Sequence, residues 1–366
     1  MQPMTVLGLM SGTSMDGVDA AVLITDGETI AGRGPTHFRP YGEAERHALR
    51  AAVAEARTLE DRTARPGAVA EAERIVTEAH AEAVGQFLRD NPVLTVDLVG
   101  FHGQTVLHAP DRHLTIQIGD GEALARRLGI PVVYDFRAAD VAAGGEGAPL
   151  VPVYHQALVR EADLAGTVAV VNIGGVANVT RVGADGSLVA GDTGPGNALL
   201  DDFVRARTGA AMDTDGALAA AGAVDEAILA RLLADPWFAR PMPKSLDRDA
   251  FAGAASAVAA LPDADGAATL AMFTARTIAA GLAMAGGADR IVVAGGGAQN
   301  PTLMRMIADA TGLPVVRAEA CGWSAAFLEA EAFAYLAARS RRGLPLTFPG
   351  TTGVPAPMTG GVVAGA

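Results

Sequence analysis

A two-lobed α/β chain is predicted from three observations. Strand-like apolar runs alternate with Ala-, Glu- and Arg-rich stretches of helical period, as in layered α/β architecture. An apolar run, a glycine-rich turn and a returning apolar run occur twice, in TVLGLMSGTSMDGVDAAVLI and in VAVVNIGGVANVTRVG. Four glycine-rich turns follow predicted strands, at residues 11–17, 174–175, 191–197 and 295–297.

Residues 4–9 and 18–25 read as strands around the first turn, and 29–39 can add a third. Residues 43–57 and 66–90 carry Val, Ile, Phe and Leu at helical spacing. Short apolar runs at 96–101, 114–118 and 131–134 read as strands, with a helix between the last two. The Gly/Pro-rich stretch 138–152 is expected to cross between lobes. In the second lobe SLVAGDTGPGN is a strand running into a turn, several helices follow, and RIVVAGGGAQNPTLM is a strand, a triple glycine and a helix. Pro301 falls in that helix's first turn, where its missing N–H costs nothing. The last Pro/Gly-rich residues are expected to run extended over the surface. The expected organisation is an N-terminal lobe at 1–137, a C-terminal lobe at 138–340 and a tail at 341–366.

The chain of 366 residues is 50% hydrophobic and carries a formal net charge of −13. Such acidity disfavours nucleic acid and anionic membranes as partners, so any phosphate site is built locally from backbone N–H groups, a metal and a few basic side chains. The single cysteine, Cys321, permits no disulfide within the chain and fits a reducing compartment. The N-terminus lacks the pattern of a signal peptide, and no apolar run is expected to reach membrane-spanning length. A cytoplasmic protein is expected. Lys244 is the only lysine among 28 basic residues, which fits either a specific role or chance.

Glycine after a strand lets backbone N–H groups approach a ligand closely, and successive N–H groups form anion-binding concavities. Each such turn alone is equally a plain tight turn; four of them, two in matched positions, favour a polyphosphate. A Walker lysine is excluded, because the only lysine lies in PMPKSL. No dinucleotide fingerprint opens a βαβ unit, and the protein-kinase motifs are absent. The remaining arrangement is phosphate clamped by two hairpins, one per lobe, as in the actin, heat-shock ATPase and hexokinase superfamily.

In order along the chain, GLMSGTSMDGVDAA, GFHGQTVLH, IQIGDGEALA, DFRAADVAAGGEGAPLVP, NIGGVAN, DTGPGNALLDD, GGGAQNPTL, EAEAFAYLA and TGVPAPMTGG resemble the anhydro-N-acetylmuramic acid kinase family. The resemblance implies two actin-like (ASKHA) lobes, each a mixed sheet flanked by helices, around a central cleft. It implies an ATP- and Mg²⁺-dependent enzyme that opens the ring of 1,6-anhydro-N-acetylmuramic acid with water and phosphorylates O6 in wall recycling. It also implies a homodimer. Another sugar as substrate, or a non-catalytic actin-like ATP-binding protein, are the alternatives.

Asp192 is then expected to be the catalytic base that deprotonates the attacking water; from the residues alone it is equally an Asx cap of its turn. Gly12, Thr13, Ser14, Met15, Asp16, Gly17, Val18 and Asp19 are expected to hold the phosphates, with Asp16 the metal-side acid or simply half of an Asp-Gly turn. Gly174, Gly175 and Asn178 form the second phosphate hairpin, and Gly295, Gly296, Gly297 and Asn300 are placed near the adenosine by the resemblance. Ser11, His102 and Gln104 are expected on the sugar side, with Gly103 and Asp135. Arg137 suits the lactyl carboxylate, a guanidinium matching a carboxylate bidentately; an interlobe salt bridge is its other reading. Glu329 is assigned to sugar hydroxyls by the resemblance alone. His108 and His113 are five apart and do not form a helical metal pair. Glu146 stands where the family usually has Gln, and Ala326 and Phe327 where it often has acids.

Overall fold

The computed structural model describes residues 2–246 and 250–365. The chain divides into two compact units, Met1–Glu161 with Ala326–Ala366, and Ala162–Ala325.

In the first unit β1 (Met4–Ser11), β2 (Gly17–Thr25) and β3 (Ile30–Pro40) form an antiparallel meander. Helices α1 (Glu43–Ala56) and α2 (Gly67–Asp90) lead to β4 (Leu98–Ala109), β5 (Leu114–Ile118), α3 (Gly121–Leu128) and β6 (Val132–Tyr134). Two further helices, α4 (Ala138–Ala142) and α5 (Pro152–Glu161), close this part of the chain. Strands β4 and β6 run parallel to β1, giving the order β6-β4-β1-β2-β3. The central strand β1 is buried almost throughout, which is why its sequence is continuously apolar rather than alternating.

The second unit repeats this plan. Strands β7 (Val168–Ile173), β8 (Val176–Val182) and β9 (Leu188–Pro195) form the meander. They are followed by α6 (Asn197–Thr208), α7 (Ala217–Ala221), α8 (Glu226–Leu233), α9 (Ala254–Ala257) and α10 (Asp263–Met284). Then β10 (Arg290–Ala294), α11 (Pro301–Thr311) and β11 (Val315–Arg317) complete a sheet of order β11-β10-β7-β8-β9, with β10 parallel to both neighbours. Both sheets thus place a meander beside two parallel strands in the same order, the structural form of the repeat seen in the sequence.

The chain returns to the first unit with α12 (Leu328–Arg341), α13 (Pro349–Thr352) and β12 (Val362–Ala364). Helix α12 covers the sheet face opposite α1–α3. Its stretch from Ala330 to Arg339 is buried on every side, apolar except for Glu331 and Arg339. Two glycines let it approach: a Cβ on Gly8 would stand 1.9 Å from Ala330 O, and one on Gly100 2.2 Å from Phe333 O.

Three expectations change here. The stretch 138–152 does not leave the first unit. Asp140 accepts from Gly147 N (2.7 Å) and from Thr352 Oγ1 (2.6 Å), while Tyr154 of α5 donates to Glu331 of α12 at 2.5 Å. The first unit therefore runs on to Glu161 and reclaims the chain from Ala326, which differs from boundaries at 137 and 340. Nor does the tail lie extended on the surface: Thr351, Thr352 and Val354 are buried, and β12 pairs with β6. Finally, α10 is long and apolar enough to span a membrane, but two thirds (67%) of its most apolar window is buried in the second unit's core, whose sheet it packs on.

Candidate active site

The first unit contributes a hairpin and a polar cluster. The β1–β2 turn exposes Thr13, Ser14 and Asp16. Met15 is buried with φ 57°, and its N–H closes the turn on Gly12 O at 3.1 Å. Ser11 and Gln104, expected on the sugar side, are instead fully buried beneath this turn. Ser11 Oγ donates to Gln104 Oε1 (2.6 Å) and lies 3.1 Å from Tyr41 Oη, and Gln104 Nε2 donates to Gly12 O (3.1 Å). Their side chains brace the turn from inside, which the sequence did not announce.

His102 and Gly103 sit at a bulge, two residues on β4 facing one on β1. Gly103 has φ +70°, and a Cβ there would stand 2.5 Å from Ile118 O. Bulges re-aim side chains, and here His102 turns its ring onto Phe333, with centroids 4.5 Å apart. Burial, with Arg137 adding to it, holds the imidazole well below its usual pKa, so it is neutral. Its Nδ1–H donates to Gly103 O at 2.8 Å, leaving Nε2 to accept from Arg137 Nη2 at 3.1 Å. Arg137 also donates from Nη1 to Gly147 O at 2.8 Å. Burial brings Arg137 down to about 10, opposed by the charges of Glu329 and Asp140, so it stays cationic at neutral pH. Its fork has N–H groups to spare for a ligand. Asp135 is spent on an ion pair with Arg62.

Glu329, in the first turn of α12, keeps contact with solvent, yet the surrounding protein raises its pKa, with Arg137 opposing. Water at its surface screens part of that effect. Asp19 is half-buried and raised to about 6, first by burial, then by the charges of Glu329 and Asp16. Asp16, Asp19 and Glu329 therefore share one electrostatic environment with Arg137. Glu146 lies in the loop that receives Arg137, its N–H donating to Thr352 O at 2.7 Å, and Phe327 is the N-cap of α12.

The second unit gathers three glycine turns. The β7–β8 turn, Gly174 and Gly175, accepts from Asn197 N (2.7 Å) and Gly196 N (3.0 Å). A Cβ on Gly196 would stand 2.3 Å from Gly174 O. Gly295, at φ +78°, approaches Asn172 Oδ1, and Gly297 packs on Ile173. These turns meet at the N-terminus of α6, a three-turn helix that begins at a glycine, a favourable setting for phosphate oxygens. Asn300 is largely committed as the N-cap of α11, its Oδ1 accepting from Leu303 N at 2.9 Å.

Asp192 is expected to open a turn; it lies instead within β9 at a second bulge, where Thr193 is the extra residue and Asp192 faces Asn178. Its N–H donates to Lys244 O at 2.8 Å, and its Oδ2 accepts from Leu246 N at 2.7 Å. An Asx cap of the Thr-Gly-Pro-Gly stretch is not what this carboxylate makes with Leu246, which lies 54 positions away.

Among the described residues no group of three His, Cys, Asp or Glu forms a metal cage. Magnesium needs none, since it keeps waters and takes few protein carboxylates beside substrate phosphates. Asp16 and Asp19, the charge of Asp16 helping to raise Asp19, fit the protein side of such an ion.

Two units with the same meander-plus-parallel topology, each carrying a glycine hairpin, define an actin-like α/β fold. The model of the family "Anhydro-N-acetylmuramic acid kinase" matches residues 4–365. The chain is 54% identical over 365 residues to the anhydro-N-acetylmuramic acid kinase of Bradyrhizobium diazoefficiens, covering 99% of both. It is 57% identical over 367 residues to that of Azorhizobium caulinodans, covering 98% of this chain and 99% of the relative. Among solved structures it is similar to a ligand-bound xylulose kinase from Lactobacillus acidophilus, with a TM-score of 0.48 at 8% identity, over 93% of this chain and 89% of the other. The chain belongs to the anhydro-N-acetylmuramic acid kinase family.

Proposed function

We propose that the chain uses ATP and water to convert 1,6-anhydro-N-acetylmuramic acid into N-acetylmuramic acid 6-phosphate and ADP. Asp192 takes a proton from water as the water oxygen bonds to C1. The C1–O6 bond breaks, O6 bonds to the γ-phosphorus, and ADP leaves. Asp192 later returns its proton to solvent. A carboxylate whose rotation is fixed by a hydrogen bond is suited to aim such a water, and the Leu246 N–H on Asp192 Oδ2 is the observation that carries this reading.

The β1–β2 turn supplies backbone N–H groups for the nucleotide phosphates and the second turn supplies the Gly175 N–H, the Gly174 N–H being donated to Val176 O at 3.1 Å, with Gly295, Gly296, Gly297 toward the nucleoside. Mg²⁺, held by Asp16 and Asp19 directly or through water, supplies charge neutralisation of the phosphates when bound. Arg137 orients the lactyl carboxylate, its direction set by His102 and Gly147 O. Glu329 serves the sugar hydroxyls. Ser11 and Gln104 act on the phosphates only through the turn they brace. A cytoplasmic homodimer is part of the same proposal. Purified protein with ATP, Mg²⁺ and the anhydro sugar, followed by ³¹P NMR, tests it: a sugar 6-phosphate should appear with ADP, and ADP alone would reject it.

A further inference from the structure

The only lysine of the chain, Lys244, is buried. Its Nζ stands 4.1 Å from the Trp237 ring centroid and donates to the carbonyls of Trp237 (3.2 Å) and Phe238 (3.1 Å). Burial lowers its pKa and the charge of Asp192 opposes that. Burying an ammonium is costly unless it is hydrogen-bonded, and an aliphatic side chain would fill the same space without that cost. The ammonium is therefore used as a tether.

What it tethers is the segment 242–246, which lies along β9, the edge strand of the second sheet. Gly191 makes the approach possible: a Cβ there would stand 2.4 Å from Met242 Sδ and 3.1 Å from Lys244 N. The segment then meets Asp192 twice, through the Lys244 carbonyl on its N–H and through the Leu246 N–H on its carboxylate.

We propose that Lys244 is a positioning residue for Asp192: anchored on the Trp237–Phe238 turn, it fixes the segment whose Leu246 amide sets the rotation of the Asp192 carboxylate. This rests on reading Asp192 as the base.

The test compares Lys244→Met, Lys244→Arg, Trp237→Leu and Asp192→Asn in the full chain, measuring kcat and KM with the anhydro sugar and ATP affinity by equilibrium dialysis. Lys244→Met should lower kcat by about tenfold or more, as small misplacements of a reacting group do, with ATP affinity within about twofold. Lys244→Arg should stay within about threefold of the parent, because a guanidinium keeps both the ring contact and the donors. Trp237→Leu should fall between. Should Lys244→Met not fold, the Arg and Leu variants decide by the same ordering. Parental kcat in Lys244→Met, an equal loss in Met and Arg, or a parallel loss of ATP affinity would overturn the inference. If Asp192→Asn turns over normally, it is the base assignment that fails. If Asp192→Asn is inactive while Lys244→Met is fully active, only the positioning role fails.

Discussion

Arg137 donates to Nε2 of His102 at 3.1 Å, and the geometry requires a neutral imidazole protonated at Nδ1. His102 is thus a support for the guanidinium rather than an acid or base. Replacing it by Phe leaves an Arg137 donor facing a ring without a lone pair. His102→Phe should destabilise by about 1–3 kcal/mol, the cost of orphaning a buried donor, in urea titration, and should raise KM for the sugar. Arg137→Lys should cost about 1–3 kcal/mol as well, since one ammonium cannot serve both His102 Nε2 and Gly147 O, and should raise the sugar KM about tenfold because it lacks the bidentate fork.

Asp19 gives a pH prediction. Its folded pKa, about 6, lies above the ordinary 3.8. A raised carboxylate contributes stability below the unfolded value, and that contribution is lost as pH rises through the folded value. The full displacement corresponds to about 3 kcal/mol; partial solvent access reduces it to about 1 kcal/mol. Asp19→Asn should therefore gain about 1 kcal/mol over the parent between pH 4 and pH 8 in urea titrations.

The glycines separate into two kinds. Gly8→Ala and Gly100→Ala drive a methyl into the backbone of α12, which has no flexible end to yield. Each should cost about 3 kcal/mol and raise the sugar KM by displacing Glu329. Gly85, inside α2 with only the end of Arg89 at 3.4 Å, has no such partner. Gly85→Ala should stabilise by about 0.5–1 kcal/mol, as expected in a helix interior.

On the nucleotide side, Gly196→Ala presses on the Gly174 carbonyl and should disturb the turn at the α6 N-terminus. ATP affinity should fall about tenfold, as from removing one or two backbone contacts, with the sugar KM unchanged. Equal effects on both ligands would place Gly196 in general folding instead.

Much of this was legible in the sequence. Apolar period gave most strands and helices, and glycine after a strand marked both hairpins. The repeat at NIGGVAN became a second sheet of the same order. What stayed hidden depends on distant contacts. Nothing local in EAEAFAYLA says that α12 lies on Gly8 and Gly100, so its return to the first unit cannot be seen in the sequence. Ser11 and Gln104 are polar residues beside a turn, which points locally to a ligand; their mutual hydrogen bond crosses 93 positions. GDTGPGN has the composition of a turn, whereas pairing with β8 keeps Asp192 in a bulged strand. Lys244 was visible only as an oddity of composition.

The most direct measurement of the central claim is the mass of the product formed from the anhydro sugar and ATP, for the parent and for Asp192→Asn. The parent should yield a species heavier than the substrate by one water and one phosphoryl group together, in step with ADP, and Asp192→Asn should bind ATP and yield none. A phosphorylated product that retains the anhydro ring, an opened sugar without phosphate, or undiminished turnover in Asp192→Asn would contradict the account.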